Sequence, residues 1–123
     1  MKFACDFCGQ AKEAVRYLIS GPRVFVCDGC VTRFIELAQE DGAAPDPTSA
    51  IKLLQGGARP SCSFCGKSAR ETRFSYVGAH GQVICNECVG LCIDILAEQF
   101  AETWSPWAEK WPGIETVRGG DLN

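Results

Sequence analysis

Two short stretches of sequence decide the fold: Cys5-Asp6-Phe7-Cys8-Gly9 and Cys62-Ser63-Phe64-Cys65-Gly66. Each contains a C-x-x-C pair, and a second pair follows after 18 intervening residues in the first case and 19 in the other. The second pairs are Cys27 with Cys30 and Cys85 with Cys88. Two C-x-x-C pairs at such a distance are typical of one tetrahedral four-thiolate site, so the chain is predicted to bind two metal ions.

Zinc is the predicted metal at both sites, and its predicted role is structural. Four thiolates close the coordination shell and leave no position for a reacting water. Iron in a rubredoxin-like site also takes four thiolates and stays open as an alternative. Disulfides suit secreted chains, but residues 1–5 show no apolar signal sequence and no membrane-spanning stretch follows, so a reducing, cytoplasmic compartment is expected.

The two halves of the chain form an internal repeat. The copies align at an offset of 57 residues up to Gly21 and Gly78 and at 58 afterwards, which matches Cys27 with Cys85. The extra residue falls in a glycine-containing turn, where changes in length are tolerated. The predicted organisation follows directly: a first module at 1–41, a linker at 42–60, a second module at 61–104 and a tryptophan-containing tail at 105–123.

Each copy is predicted to run from a metal knuckle through a β-hairpin into a helix. Apolar, β-branched and aromatic residues at 15–19 and 24–26, and again at 72–77 and 82–84, flank glycine-containing turns. Apolar residues then recur at helical spacing after the second cysteine pair: Val31, Phe34, Ile35 and Ala38, and Val89, Cys92, Ile93 and Leu96. The predicted fold class is therefore small, metal-bound α+β, with two treble-clef zinc fingers.

The linker and the tail carry further apolar clusters. Ile51, Leu53 and Leu54 are predicted to form a short helix capped by Thr48 or Ser49 that packs on the modules, with partner binding as the alternative. The second helix is expected to end by Pro106. Trp104 is expected to pack on that helix, whereas Trp107 and Trp111 stay candidates for partner binding because tryptophan is enriched at binding hot spots.

Catalysis is not expected from this sequence. Cys92 aligns with Phe34 on the apolar helix face and is predicted to be a core residue rather than a ninth ligand. His80 is the single histidine and lies in a glycine-rich turn, where it is predicted to be exposed. The sequence shows no Ser-His-Asp pattern and no open metal site, so the protein is predicted not to be an enzyme.

Three motifs carry a resemblance to a known family: Leu18-Ile19-Ser20-Gly21-Pro22, Cys62-Ser63-Phe64-Cys65-Gly66-Lys67-Ser68 and Ile84-Cys85-Asn86-Glu87-Cys88-Val89. With them, residues 3–40 and 60–100 resemble the N-terminal zinc-binding domain of ClpX, the AAA+ unfoldase of a bacterial protease. The resemblance implies zinc binding, pairing of domains and recognition of substrates and adaptors. The sequence contains no G-x-x-x-x-G-K-[ST] phosphate loop, so unfoldase activity is not expected.

The resemblance covers two copies of the domain here, whereas the unfoldase has one copy per subunit and its zinc domains pair as dimers. The tandem is therefore expected to form a pseudo-dimer within one chain, with a homodimer of chains as the other outcome. The expected function is a non-catalytic protein-interaction module, an adaptor, substrate-recognition factor or regulator linked to Clp proteolysis. The candidate partner-binding residues are Tyr17, Ile19, Phe25, Phe74, Tyr76, Trp107 and Trp111.

Charge argues against a nucleic-acid partner. The formal net charge is −3, and eight thiolates with two divalent ions bring it to about −7. An acidic protein repels phosphate unless a local basic patch dominates. The residues available for such a patch are Lys12, Arg16, Arg23, Arg59, Lys67, Arg70 and Arg73, and a regulatory nucleic-acid-binding zinc finger is the alternative function.

Overall fold

The computed structural model describes residues 3–22, 24–39 and 51–111, and within these ranges the repeat is visible in the order of elements. The first copy contains strands β1 (Leu18–Ser20) and β2 (Phe25–Cys27) and helix α1 (Asp28–Gln39). The remainder contains β3 (Lys52–Leu54), β4 (Ser75–Val77), β5 (Val83–Cys85), α2 (Asn86–Gln99) and α3 (Ala101–Lys110). Short 3-10 turns at Lys12–Ala14 and Ala69–Glu71 precede the two hairpins.

Each knuckle depends on a glycine that follows its second cysteine. Gly9 and Gly66 have φ values of 81° and 80°, a left-handed conformation that side-chain-bearing residues rarely adopt. The first residue of each helix then ties the helix to the start of its hairpin. Asp28 Oδ1 accepts the backbone N–H groups of Arg16 and Tyr17, and Asn86 Oδ1 accepts those of the equivalent residues in the second copy. The treble-clef order predicted from sequence is confirmed in both copies.

The linker contributes a strand and not the predicted short helix. β3 pairs antiparallel with β4, with Lys52 opposite Val77, Leu53 opposite Tyr76 and Leu54 opposite Ser75. The second copy therefore has a three-stranded sheet, β3-β4-β5, whereas the described part of the first has the two strands β1 and β2. The helix prediction was wrong because pairing with the edge of β4 satisfies backbone groups that an isolated helical turn of three or four residues would leave open.

The beginning of the tail is helical, so Pro106 does not end the helical region as predicted. α2 ends at Gln99, Phe100 has a non-helical conformation, and α3 continues through Pro106 to Lys110. A proline inside a helix costs about 3 kcal/mol. Packing offsets this cost, because the three tryptophans recur at spacings of three and four residues along one side of the helical segment, where Trp104 and Trp111 are buried and Trp107 is half-buried.

Reciprocal contacts join the two copies. The phenyl ring of Phe64 in the second knuckle lies against Gly21 in the first hairpin turn, where an added Cβ would come within 2.6 Å of the ring. Phe7 in the first knuckle lies against Gly78 in the same way, at 2.9 Å. The rings of Phe7 and Phe64 also stack, with centroids 6.5 Å apart. A twofold axis produces such reciprocal, equivalent contacts, so the two modules form a pseudo-dimer within the chain.

The interface between the modules is the centre of the core. Phe34 of α1 is fully buried, and its ring stacks on the ring of Tyr76 of β4 with centroids 4.5 Å apart. The rings of Phe34 and Phe7 meet edge-on with centroids 5.4 Å apart. The hydroxyl of Tyr76 donates a hydrogen bond of 2.7 Å to the backbone carbonyl of Phe34. Burial raises the pKa of Tyr76 well above its usual value, which keeps this hydroxyl protonated as a donor.

Replacement of Tyr76 by phenylalanine tests this buried hydrogen bond. The Tyr76→Phe variant leaves the carbonyl of Phe34 without its donor at almost unchanged volume, and we expect it to lower the free energy of unfolding by about 1 kcal/mol. The measurement is chemical unfolding of the zinc-loaded protein. Tyr17→Phe is the matched control, because Tyr17 is only half-buried, and it is expected to change stability by less than about 0.5 kcal/mol. Equal effects of both substitutions would contradict the assignment.

Within the residues that the structure describes, no helix combines the length and the apolar character needed to cross a membrane.

Candidate metal centres

The first centre is built by three elements of the first module. The knuckle supplies Cys5 and Cys8, the last residue of β2 supplies Cys27, and the first turn of α1 supplies Cys30. The four Sγ atoms all lie within 4.8 Å of one another. The sulfurs of Cys5 and Cys30 are 3.6 Å apart, and those of Cys8 and Cys27 are also 3.6 Å apart.

The second centre repeats this arrangement in the second module. Cys62 and Cys65 come from the knuckle, Cys85 ends β5, and Cys88 lies in the first turn of α2. The Sγ atoms of Cys62 and Cys88 are 3.8 Å apart, and those of Cys65 and Cys85 are 3.7 Å apart. In both centres three cysteines are buried and one, Cys8 or Cys65, is exposed at the surface.

The donor set fits a zinc ion. Four sulfurs at the usual Zn–S distance of about 2.3 Å form a tetrahedron whose edges measure about 3.8 Å. The closest sulfur pairs of the two centres span 3.6 to 3.8 Å, close to that edge. Two four-cysteine sites for two zinc ions are therefore confirmed, with the eight cysteines as the groups that would hold them. When bound, each ion would crosslink knuckle, hairpin and helix.

Backbone amides face the sulfurs, as expected for thiolate ligands. In the first centre the N–H groups of Phe7 and Cys27 point at Cys5 Sγ, at 3.3 and 3.4 Å. In the second, the equivalent N–H groups of Phe64 and Cys85 point at Cys62 Sγ, both at 3.3 Å. Hydrogen bonds from the thiols of Cys27 and Cys30, with further help from these amides, hold the pKa of Cys5 far below its usual value, and the neighbouring thiols lower the pKa of Cys62 in the same way.

The remaining cysteine and the histidine lie where the sequence predicted. Cys92 is buried on the inner face of α2 and belongs to neither cluster. Burial raises the pKa of its thiol to about 12, so it is a neutral core side chain at physiological pH. His80 is exposed in the turn between β4 and β5.

The structure separates the predicted partner-binding residues into two groups. Tyr17, Phe25 and Trp107 are partly exposed. Four others are buried in the core and cannot offer a surface in this fold: Ile19, Phe74, Tyr76 and Trp111. Their prediction as surface residues was wrong, because the side chains of Ile19, Phe74 and Tyr76 belong to the core and Trp111 packs against Phe74.

Trp111 shows most clearly why the surface prediction failed. Its indole Nε1–H donates a 3.0 Å hydrogen bond to the backbone carbonyl of Asn86, and its ring meets Phe74 edge-on with centroids 5.8 Å apart. Sequence reasoning also missed the two large apolar residues with the highest exposure in the described ranges. These are Phe3 at 46% and Leu91 at 61%, and neither falls in a hairpin or in the tail.

Comparison with known proteins agrees with the two centres. The family model of the ClpX C4-type zinc finger matches the chain twice, over residues 4–40 and 60–98. Two similar proteins are the ATP-dependent Clp protease ATP-binding subunits ClpX of Bacteroides fragilis strains ATCC 25285 and YCH46. Each is 38% identical over 53 residues, which is 42% of this chain and 13% of the relative, so the match spans a small part of the relatives' own length. No solved structure matches the chain.

Proposed function

The chain belongs to the ClpX C4-type zinc finger family, and from that premise we propose that it is a non-catalytic protein-interaction module linked to Clp proteolysis. In this role it serves as an adaptor, a substrate-recognition factor or a regulator. The observation that carries the proposal is the presence of two family-type zinc sites in modules that share one core within a single chain. A domain pair that needs no second chain can present its outer surfaces to partners as a monomer.

The metal centres support a binding role over catalysis. Four thiolates complete a tetrahedral shell around zinc and leave no coordination position for a substrate. The cysteines that would hold the metal must stay reduced, which favours the cytoplasm as the place of action. If the pseudo-dimer replaces a dimer of chains, the molar mass in solution should equal that of one 13.3 kDa chain at every concentration tested.

Three of the side chains predicted to form a basic patch have other contacts in the fold, which weakens the nucleic-acid alternative, and Arg23 lies outside the described residues. The half-buried guanidinium of Arg59 donates hydrogen bonds to the hydroxyls of Thr72 and Ser75 and to three backbone carbonyls. Lys67 forms an ion pair with Glu87, and the guanidinium of Arg16 lies over the ring of Phe100, 4.6 Å from its centroid. A phosphate backbone would have to compete with these contacts.

A pull-down from bacterial lysate with zinc-loaded, tagged protein tests the proposed function. The same experiment is run with and without nuclease, and excess untagged protein serves as the specificity control. We expect Clp protease subunits or their adaptors to be retained after nuclease treatment and to be displaced by the untagged protein. Retention of nucleic acid, or of proteins that disappear with nuclease, would replace the proposal with the nucleic-acid alternative, and retention of neither would refute both.

A further inference from the structure

Each copy has an arginine followed by an aromatic residue beside the start of its helix. These residues are Arg16 and Tyr17 in the first copy and, at the offset of 57 residues, Arg73 and Phe74 in the second. In both copies the side-chain oxygen of the first helical residue accepts the two backbone N–H groups of this pair. The two pairs are therefore anchored in the same way, and the side chains that lie against them can be compared.

An aromatic ring from elsewhere in the chain lies against the pair of the first copy. The ring of Phe100 meets the ring of Tyr17 edge-on, with centroids 6.2 Å apart. The guanidinium of Arg16 lies over the same phenyl ring, 4.6 Å from its centroid. Phe100 is the residue between α2 and α3, so the chain itself covers this pair. The contact shows that an arginine and an aromatic residue in this position accept a further aromatic side chain.

The equivalent pair of the second copy lines a cavity of about 270 Å³ between Phe74, α2 and α3. Its apolar lining includes the buried rings of Phe74 and Trp111, which meet edge-on with centroids 5.8 Å apart. Arg73 also lines the cavity and is exposed. A cavity of about 150 Å³ is enough to hold a benzene molecule. This cavity therefore has room for one more aromatic ring.

Two features make the cavity specific to the second module. Gly90 lines it, and a Cβ added there would come within 3.1 Å of Cδ1 of Trp111, whereas the first copy has Thr32 at this position. The other feature is α3, which contributes Ala108 to the lining and begins beyond residues 60–98 of the family match. The repeated zinc-finger sequence alone does not produce this cavity.

One side of the cavity is an acidic stripe on α2. Glu87, Leu91 and Asp94 are spaced by four and three residues, so they share a face of the helix, and all three line the cavity. Leu91 is 61% exposed. Glu87 pairs with Lys67, whereas none of the ion pairs identified in the described ranges includes Asp94. An exposed apolar side chain between two carboxylates complements a partner that has an apolar residue next to a cation.

We infer that this cavity binds a segment of a partner protein in which an aromatic residue stands next to an arginine or a lysine. The aromatic ring enters the cavity and contacts the guanidinium of Arg73, as Phe100 contacts that of Arg16, and the neighbouring cation faces Asp94. Aromatic side chains that fill a pocket are frequent anchors of protein interfaces. The inference rests on the proposed interaction function and assigns a surface to it.

The probe is the capped tetrapeptide acetyl-Ala-Phe-Arg-Ala-amide, titrated into the zinc-loaded full chain and followed by amide and indole N–H chemical shifts. We expect saturable shifts centred on Gly90, Leu91 and the indole of Trp111. The indole of Trp107 is the internal reference, because Trp107 is not part of the lining, and its signal should stay in place. Absence of shifts at millimolar peptide, or shifts centred on another surface, would overturn the inference.

The preference for an aromatic residue is tested with a second peptide that has leucine in place of phenylalanine. We expect the phenylalanine peptide to bind about two- to fivefold more tightly, because only the aromatic ring interacts with the guanidinium face. Arg73→Met keeps a long side chain without the charge and should abolish this preference. Arg70→Met, at an exposed site outside the cavity, should preserve it. Equal affinities of the two peptides for the parent protein, or a preference that survives Arg73→Met, would refute the aromatic site.

A charge reversal tests the contact with Asp94. Asp94→Lys should weaken binding of the arginine peptide about two- to fivefold and strengthen binding of acetyl-Ala-Phe-Glu-Ala-amide. Glu13→Lys carries the same change of charge at an exposed site of the first module and should leave both affinities unchanged. Equal responses to the two substitutions would contradict a cation facing Asp94.

Two other occupants of the cavity would overturn the inference. If the signals of Gly90 and Trp111 shift with protein concentration in the absence of peptide, and the mass doubles in parallel, a second copy of the chain occupies the cavity. If the peptide binds only after residues 112–123 are deleted, a segment of the chain itself occupies it.

A pull-down with the Leu91→Ala variant separates the inference from the proposed function. We expect this variant to retain less of the Clp components than the parent protein, whereas Phe3→Ala, which truncates another exposed apolar residue, should retain as much. Equal retention by Leu91→Ala and the parent would show that the Clp partner uses another surface and would refute the inference. Binding of the tetrapeptide without any recovery of Clp components would support the cavity and refute the link to Clp proteolysis.

Discussion

Replacement of Cys88 by serine is expected to lower the zinc content from two ions to one per chain and to disrupt the second module together with the core that it shares with the first. Cys88 is a buried member of the second four-cysteine cluster. A structural zinc site of this kind contributes on the order of 10 kcal/mol to folding, whereas a small domain has only about 5–15 kcal/mol of net stability. The measurements are metal analysis after dialysis and amide spectra of the dialysed protein.

The matched control is Cys92→Ala, which removes a cysteine from the same helix without touching either cluster. Cys92 is buried one turn beyond Cys88, so the substitution removes a core side chain and is expected to cost only about 1 kcal/mol. It should retain two zinc ions and dispersed amide spectra. Retention of two ions by Cys88→Ser, or loss of an ion from Cys92→Ala, would contradict the assignment of ligands.

The second large effect is expected at Phe34, where a substitution to alanine should lower the free energy of unfolding by about 3–5 kcal/mol. Phe34 has no solvent exposure and contacts both Phe7 and Tyr76, so its removal opens a cavity where the two modules meet. Chemical unfolding of the zinc-loaded protein measures the change. Because the modules share this core, the parent protein should unfold in a single cooperative transition.

Leu91→Ala is the control for this prediction. Leu91 is a large apolar residue that is 61% exposed, and its truncation should change stability by no more than about 0.5 kcal/mol. Both variants should still bind two zinc ions, since neither residue lies among the cysteines of the clusters. Two separate transitions in the parent protein would show that the modules fold independently. Similar losses for Phe34→Ala and Leu91→Ala would contradict the central place of Phe34 in the core.

Local sequence patterns were sufficient to predict the order of strands and helix in each module. Strand signals at 15–19 and 24–26 correspond to β1 and β2, displaced by one to three residues at their ends. Helical spacing placed Phe34 and Cys92 on the buried faces of α1 and α2, where the structure has them. These features depend on residues close in sequence, and the repeat supplied each of them twice.

The errors concern segments whose conformation depends on distant contacts. Residues 52–54 form β3 because the edge of β4 is available more than 20 positions later. α3 continues through Pro106 because Trp104 and Trp111 gain burial, Trp111 against Phe74 and Asn86 of the second module. Neither the pairing of β3 nor the packing of α3 can be recognised from residues close in sequence. Local propensity therefore favoured a helix in the first case and a helix end in the second.

The sequence by itself determined the eight metal ligands, the repeat and the order of knuckle, hairpin and helix, because thiolate spacing and apolar periodicity act within each module. Only the tertiary structure decided how the modules meet. The contacts of Phe64 with Gly21 and of Phe7 with Gly78 depend on surfaces that exist only once both modules are folded. The same packing buries Tyr76 and Trp111 and leaves the edge of β1 without a described partner strand, because the linker can cover only one of two equivalent edges.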